Sequence, residues 1–153
     1  MKYYILLPLV LIPLFVGCAT TRLEPPPQAR ATKLSMLTTG YCPCKKCCGW
    51  HRNWYGKPVV NGSHRRKQIG VTASGAKARP GTIAADISKY PFGTVMYIPG
   101  YGYGRVEDRG SAIQGEHIDL YFKKHRRALA WGSQKKPVVV YLPQSRLAES
   151  TGH

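Results

Sequence analysis

The residue types that could do chemistry are few and grouped. Only seven side chains are acidic against 23 Lys and Arg. Five of the acids, Asp86, Glu107, Asp108, Glu116 and Asp119, fall between residues 86 and 119. A solvated charged face normally mixes signs along its length, so scarce, clustered carboxylates in a basic chain suggest a site. Two or three convergent carboxyls suit acid/base work on a glycosidic bond, where one group protonates the leaving oxygen and another supports the charge. Val106-Glu107-Asp108 and His117-Ile118-Asp119 flank a glycine-bounded loop. If the two segments pair as antiparallel neighbours with Asp108 opposite His117, Asp108 and Asp119 share a face at about 7–8 Å. Glu107 then points the other way. Asp86 ends a β-type run before a turn, where it either joins the pair or caps the turn at 87–89.

A second cluster is made of sulfur. Cys42, Cys44, Cys47 and Cys48 occupy seven residues, CPCKKCC. An even number of cysteines in an oxidising compartment predicts disulfides. Vicinal Cys47–Cys48 and tight Cys42–Cys44 bridges would be strained, which favours crossed pairs linking 42/44 to 47/48. The competing chemistry is four thiolates holding zinc, with His51 and His64 nearby. The usual zinc pattern of two separated pairs with a long spacer is missing, so the expectation is disulfides, with no metal and no cofactor.

The elements that must position these groups are short. Glycine and proline punctuate runs rich in Tyr, Val, Ile and Thr, which predicts strands near 35–41, 69–74, 82–86, 93–98, 102–108, 117–122 and 137–142. A helix is expected at 124–131, ended by Gly132, and a helical turn at 87–90. Many short strands in about 120 residues argue for one small mainly β barrel or sandwich. Residues 49–68 look like an insertion. Their two tryptophans, two histidines and basic run either stack on sugars or pack the loop onto the barrel, and packing is favoured.

The N-terminus sets the compartment. Residues 1–17 carry Lys2 and then an apolar run broken by Pro8 and Pro13, which predicts an export signal. Phe15-Val16-Gly17-Cys18 resembles the lipobox of bacterial lipoproteins. That resemblance implies cleavage before Cys18, lipid on its sulfur, and membrane anchoring. Residues 18–33, with three consecutive prolines, form a tether. Residues 34–143 form the domain, and 144–153 a disordered tail. Ala19 after the cysteine fits the periplasmic face of the outer membrane. Removing Lys2 with the signal takes the net charge from +16 to +15. Export argues against nucleic acid as the partner and for anionic envelope polymers.

The domain resembles the 3D (Asp-Asp-Asp) family of bacterial cell-wall enzymes. The resemblance runs through Thr72-Ala73-Ser74-Gly75, Ile83-Ala84-Ala85-Asp86, Pro91-Phe92-Gly93-Thr94, Glu107-Asp108-Arg109-Gly110, Ile118-Asp119-Leu120-Tyr121 and Ala130-Trp131-Gly132. It implies a six-stranded double-psi β-barrel and lytic transglycosylation of peptidoglycan in cell-wall turnover. Asp119 would be the essential acid, Asp108 its support and Asp86 the third aspartate, with Thr72 and Tyr121 placing the sugar. Arg109 stands where many members have glycine. The Asp-Arg-Gly run is similar to that of rare-lipoprotein-A-type barrels, some of which bind glycan without cutting it. The alternative is therefore a non-catalytic peptidoglycan-binding lipoprotein.

Overall fold

A computed structural model describes residues 23–25 and 29–143. The signal segment, Cys18, half of the tether and the 144–153 tail lie outside the described residues. The elements in chain order are β1 (Ala31–Tyr41), α1 (Lys45–Cys48), β2 (Trp50–Arg52), β3 (Pro58–Val60), β4 (Thr82–Ala85), β5 (Val95–Ile98), β6 (Gly102–Asp108), β7 (His117–Tyr121), α2 (His125–Trp131) and β8 (Gln134–Tyr141). β1 begins inside the segment expected to be tether, because residues from Ala31 onward pair with the end of β8.

Six strands close into a barrel in the order β1-β7-β4-β6-β5-β8. β1 runs parallel to β7, and β4 parallel to β6, while the other neighbours are antiparallel. This is the mainly β, six-stranded double-psi barrel expected from the sequence. The inside is filled by alternate residues of each strand, as the period of two requires. Met36, Ile83, Met96, Ile98, Val106, Ile118, Leu120 and Val138 are fully buried there. Burying each such side chain contributes about 1.5–3 kcal/mol. The intervening residues face outward. On one side Tyr41, Ala84 and Tyr121 form a second, smaller cluster that Cys47, Cys48 and Ala78 cover.

One expected element is absent and three unexpected ones appear. Residues 69–74 form no strand, only a bridge between Val71 and Lys77. Gly70 and Gly75 take positive φ there and turn the chain too tightly for a ladder. Residues 87–90 form the single turn expected there, closed by the Tyr90 N–H on the Asp86 carbonyl at 2.8 Å. The 49–68 insertion folds as a hairpin, with Trp50 paired to Val60 and Arg52 to Pro58. Trp50 packs inward and its indole N–H donates to the Pro43 carbonyl at 3.1 Å. Trp54 and Tyr55 stand exposed at the hairpin tip, ring against ring. α1 is one turn, started by Cys44 and stopped by Gly49 in the left-handed conformation.

Candidate active site

The aspartates are assembled by β4, which lies between the two strands that carry them. Ala84 is in register with Asp119 of β7 on one side and with Asp108 of β6 on the other. Residues in register point to the same face, so both carboxyls project outward over Ala84. The expected direct β6–β7 pairing is thereby corrected. The two Cα atoms are two strand spacings apart, about 10 Å, and not diagonal neighbours. Ile83 pairs with Val106 but Ala84 with Asp108, which leaves Glu107 as the extra residue of a β-bulge. Without that bulge Glu107 would occupy the position beside Ala84. The extra residue re-aims the strand so that Asp108 sits there instead. Glu107 turns into the structure, where it accepts from the Thr82 hydroxyl at 2.9 Å and pairs with Arg79 at 3.3 Å.

Each aspartate has its own hydrogen-bond setting. Asp108 Oδ1 accepts the backbone N–H groups of Ala73 (3.0 Å) and Arg109 (2.9 Å), and Oδ2 accepts the Tyr41 hydroxyl (3.1 Å). Three donors from three directions fix its orientation. Asp119 Oδ1 accepts the Thr39 hydroxyl at 2.9 Å. Thr39 Oγ1 is also 3.0 Å from His117 Nε2. With its one proton given to Asp119, Thr39 accepts from the imidazole, which makes a His117–Thr39–Asp119 chain.

Burial is the largest influence on Asp119 and pushes its pKa above the ordinary carboxylate value. The Thr39 hydrogen bond and the nearby His117 oppose it, and the Asp108 charge adds a smaller push upward. Desolvation, more than the like charge of Asp108, is thus the main cause of the raised value. Tyr41 is pushed far up by burial, then by the Asp108 charge and hydrogen bond, so it remains a donor.

Asp108, Asp119, Thr72 and Tyr121 all line one open groove of about 860 Å³. This size holds several sugar-ring atoms' worth of ligand and lies within the range of small-molecule sites. Tyr41, Ala84 and Tyr121 form part of its floor. Arg65, Arg66, Lys67 and Arg109 give it basic sides. Thr72 is buried, and its hydroxyl engages Ser74 Oγ and the Ala76 carbonyl, both at 3.1 Å. Asp86 lies away from this groove. Its Oδ1 accepts the Ser88 N–H (3.1 Å) and hydroxyl (2.6 Å), and Oδ2 accepts the Gly115 N–H (2.9 Å). The Ser88 hydroxyl, then the Gly115 N–H, hold its pKa below the ordinary value. Asp86 therefore ties the 87–90 turn to the 109–116 loop. Glu116, which accepts from Tyr90 and pairs with Lys89, ties the same loop a second time.

The cysteines depart from expectation. Cys42, Cys44, Cys47 and Cys48 are all free thiols, and the crossed disulfides are not formed. Cys42 Sγ and Cys47 Sγ are 3.7 Å apart, far beyond the roughly 2.05 Å of a disulfide. His51, named as a neighbour of the cluster, faces Asn61 instead at 3.0 Å. The histidine that reaches the sulfurs is His125.

Thr39, Tyr41 and His117 were not among the residues expected at the site. Their signal was present: Thr39 and Tyr41 are two apart on a predicted strand, as are His117 and Asp119, so each pair shares a face. What was hidden was that β1 lies beside β7.

Residues 81–143 match the family model of the 3D domain. The matched stretch contains five of the six barrel strands. It is 39% identical over 69 residues to "Putative cell wall shaping protein YabE" of Bacillus subtilis (strain 168), covering 42% of this chain and 17% of that protein. It is 35% identical over 75 residues to "Cell wall-binding protein YocH" of the same organism, covering 46% of this chain and 26% of that protein. The chain thus spans about a quarter or less of the length of these relatives. Among solved structures, E. coli MltA with bound chitohexaose is similar at a TM-score of 0.42 and 20% identity, over 56% of this chain and 32% of that one. A second structure of MltA, described as a unique lytic transglycosylase fold, gives 0.40 and 22%, over 52% and 30%.

Proposed function

We propose that this protein cleaves peptidoglycan glycan strands as a lytic transglycosylase, acting in the cell envelope from a lipid anchor at Cys18 on the periplasmic face of the outer membrane. The observation that supports this most is the pair of outward carboxyls on either side of Ala84, one of them with its pKa raised by burial, in one groove. Asp119 donates its proton to the oxygen of the bond between N-acetylmuramic acid and N-acetylglucosamine, and that bond breaks. The muramic C6 hydroxyl then attacks its own anomeric carbon and gives its proton back to Asp119. A 1,6-anhydro ring forms, no water is consumed and the enzyme ends as it began. The nucleophile is tethered to the reacting carbon, so the sugar itself supplies much of the ordering. Asp108, held by Ala73, Arg109 and Tyr41, faces the developing positive charge on the ring.

Digestion of purified sacculi, followed by mass spectrometry of the products, tests the reading. Anhydro-muropeptides are the expected product, whereas ordinary reducing ends would indicate a hydrolase and refute it. The Asp108→Ala protein loses the acceptor for three donors that shape the groove. Its release of anhydro products is expected to fall about 100-fold, and unchanged release would remove Asp108 from the mechanism.

A second reading is glycan binding without cleavage. Two observations favour it: the basic groove sides, and the exposed Trp54–Tyr55 pair beside a relative named for cell wall binding. Wild-type protein that sediments with sacculi and releases nothing would establish it.

A further inference from the structure

We propose that Cys42, Cys44, Cys47 and His125 bind one zinc ion in a closed, tetrahedral, structural site. The three Sγ atoms and the imidazole nitrogen all lie within 4.8 Å of one another. His125 Nδ1 is 3.6 Å from Cys42 Sγ, 3.5 Å from Cys44 Sγ and 3.4 Å from Cys47 Sγ, and Cys42 Sγ is 3.7 Å from Cys47 Sγ. Zinc holds thiolate sulfur at about 2.3 Å and imidazole nitrogen at about 2.0–2.1 Å, so the edges of its tetrahedron are roughly 3.8 Å for sulfur to sulfur and 3.6 Å for sulfur to nitrogen. Those four spacings match the corresponding edges, and the other two sulfur pairs lie within 4.8 Å.

Hydrogen bonding alone does not account for the cluster. One imidazole nitrogen has one proton or one lone pair, enough for one thiol and not for three. Three sulfurs at nearly equal distance from that nitrogen are what a shared central atom produces. A disulfide arrangement would instead draw two sulfurs together and release the third.

The backbone is shaped for the same end. Cys44 starts α1, and its sulfur receives the Cys47 N–H at 3.5 Å, a contact that stabilises a thiolate. Cys44 and Cys47 are separated by two residues, the short spacing that lets two sulfurs of one turn reach a common ion. The soft donor set of three sulfurs and one nitrogen suits zinc and excludes calcium and magnesium. Three thiolates and a dication leave one negative charge, in a segment that also carries Lys45 and Lys46. Cys48 stays outside the set. Its thiol donates to the Cys42 carbonyl at 3.2 Å and it lines the groove.

The ion would join the segment after β1 to the start of α2, across a sequence separation of 78 from Cys47 to His125. That segment covers Tyr41, Ala84 and Tyr121. Zinc would therefore brace one wall of the groove, which its ligand Cys47 helps to line.

The test uses the full chain purified under reducing conditions. Inductively coupled plasma mass spectrometry is expected to find about one zinc per chain. Replacement by Co²⁺ should give the visible bands of a tetrahedral site and the near-ultraviolet bands of cobalt–thiolate bonding. Cys48→Ser is expected to keep both stoichiometry and spectrum. Cys42→Ser and His125→Ala should each weaken zinc at least tenfold in competition with a chromogenic indicator. A reduced wild-type chain that binds neither zinc nor cobalt, or one that holds only iron, overturns the proposal. So does Cys48→Ser weakening zinc as much as Cys42→Ser. The wild-type cobalt spectrum decides the matter even if a variant fails to fold.

Discussion

The Asp119→Asn protein is expected to fold fully and to release anhydro-muropeptides about 10²–10⁴-fold more slowly than wild type, the range that a lost general acid costs. Asparagine keeps the shape of the side chain and an oxygen for the Thr39 hydroxyl, so the hydrogen bond at this position survives. Only the transferable proton is removed. The same substitution carries a stability signature. The folded pKa of Asp119 is raised above its ordinary value, with burial as the main cause. A group of this kind contributes its full stability below the unfolded carboxyl pKa of about 3.9, and that contribution is lost as pH rises through the folded value. At neutral pH the wild-type fold therefore bears the cost of a charged, buried Asp119, and the neutral asparagine does not. Urea midpoints should place Asp119→Asn above wild type at pH 7, with the gap closing as pH falls towards 4. Wild-type turnover should decline as pH rises past the same raised pKa, because the acid form is the one that protonates the leaving oxygen. A variant of full activity would end the acid assignment. A variant less stable than wild type at pH 7 would show that the carboxylate is a structural anchor.

The strands were legible because local chemistry marks them. Val95–Ile98 and His117–Tyr121 are β-type runs bounded by glycine and polar residues, and alternation within β7 put Ile118 and Leu120 in the core and Asp119 outside it. The two aspartates were likewise visible, as scarce acids in a basic chain. What the sequence concealed is non-local. Consecutive strands are usually neighbours, so β6 and β7 were expected to pair. In fact β4, from more than twenty residues upstream, enters between them and pairs parallel with one and antiparallel with the other. No pattern within β6 announces that Glu107 is a bulge, because a bulge is defined by the partner strand. His125 is close to Cys42 only after α2 has packed on the barrel, whereas the histidines near the cysteines in sequence are His51 and His64. α1 escaped because a single turn of Lys-Lys-Cys-Cys is too short to show a period.

That packing of α2 needs the space left at Gly40, and the Gly40→Ala protein is expected to lose stability, metal and activity together. Gly40 has no positive φ that would demand glycine, so the requirement is one of space. A Cβ there would come within 2.8 Å of the Ala128 carbonyl oxygen, 3.1 Å of the Ala128 Cα and 3.1 Å of the Phe122 ring. Two of those atoms are backbone, and the helix cannot yield by turning a side chain. Trp131 fixes the other end of α2, its indole N–H donating to Thr38 Oγ1 on β1 at 3.1 Å. The added methyl must therefore pry the helix away from β1. Such overpacking costs about 1–3 kcal/mol, or about 4–8 °C in Tm for each kcal/mol in a domain of this size. The displaced helix carries His125 with it, away from Cys42, Cys44 and Cys47. Strain in β1 also reaches Thr39 and Tyr41, which flank Gly40 and hold Asp119 and Asp108. Leu129→Ala, on the exposed side of the same helix, supplies the contrast: it removes a larger group yet should leave Tm, zinc and turnover nearly unchanged. Thermal denaturation followed by circular dichroism, with zinc measured on the same samples, separates the cases. A Gly40→Ala protein with wild-type Tm and full zinc would mean that α2 is free to move on the barrel, and that the sulfur cluster does not depend on where the helix begins.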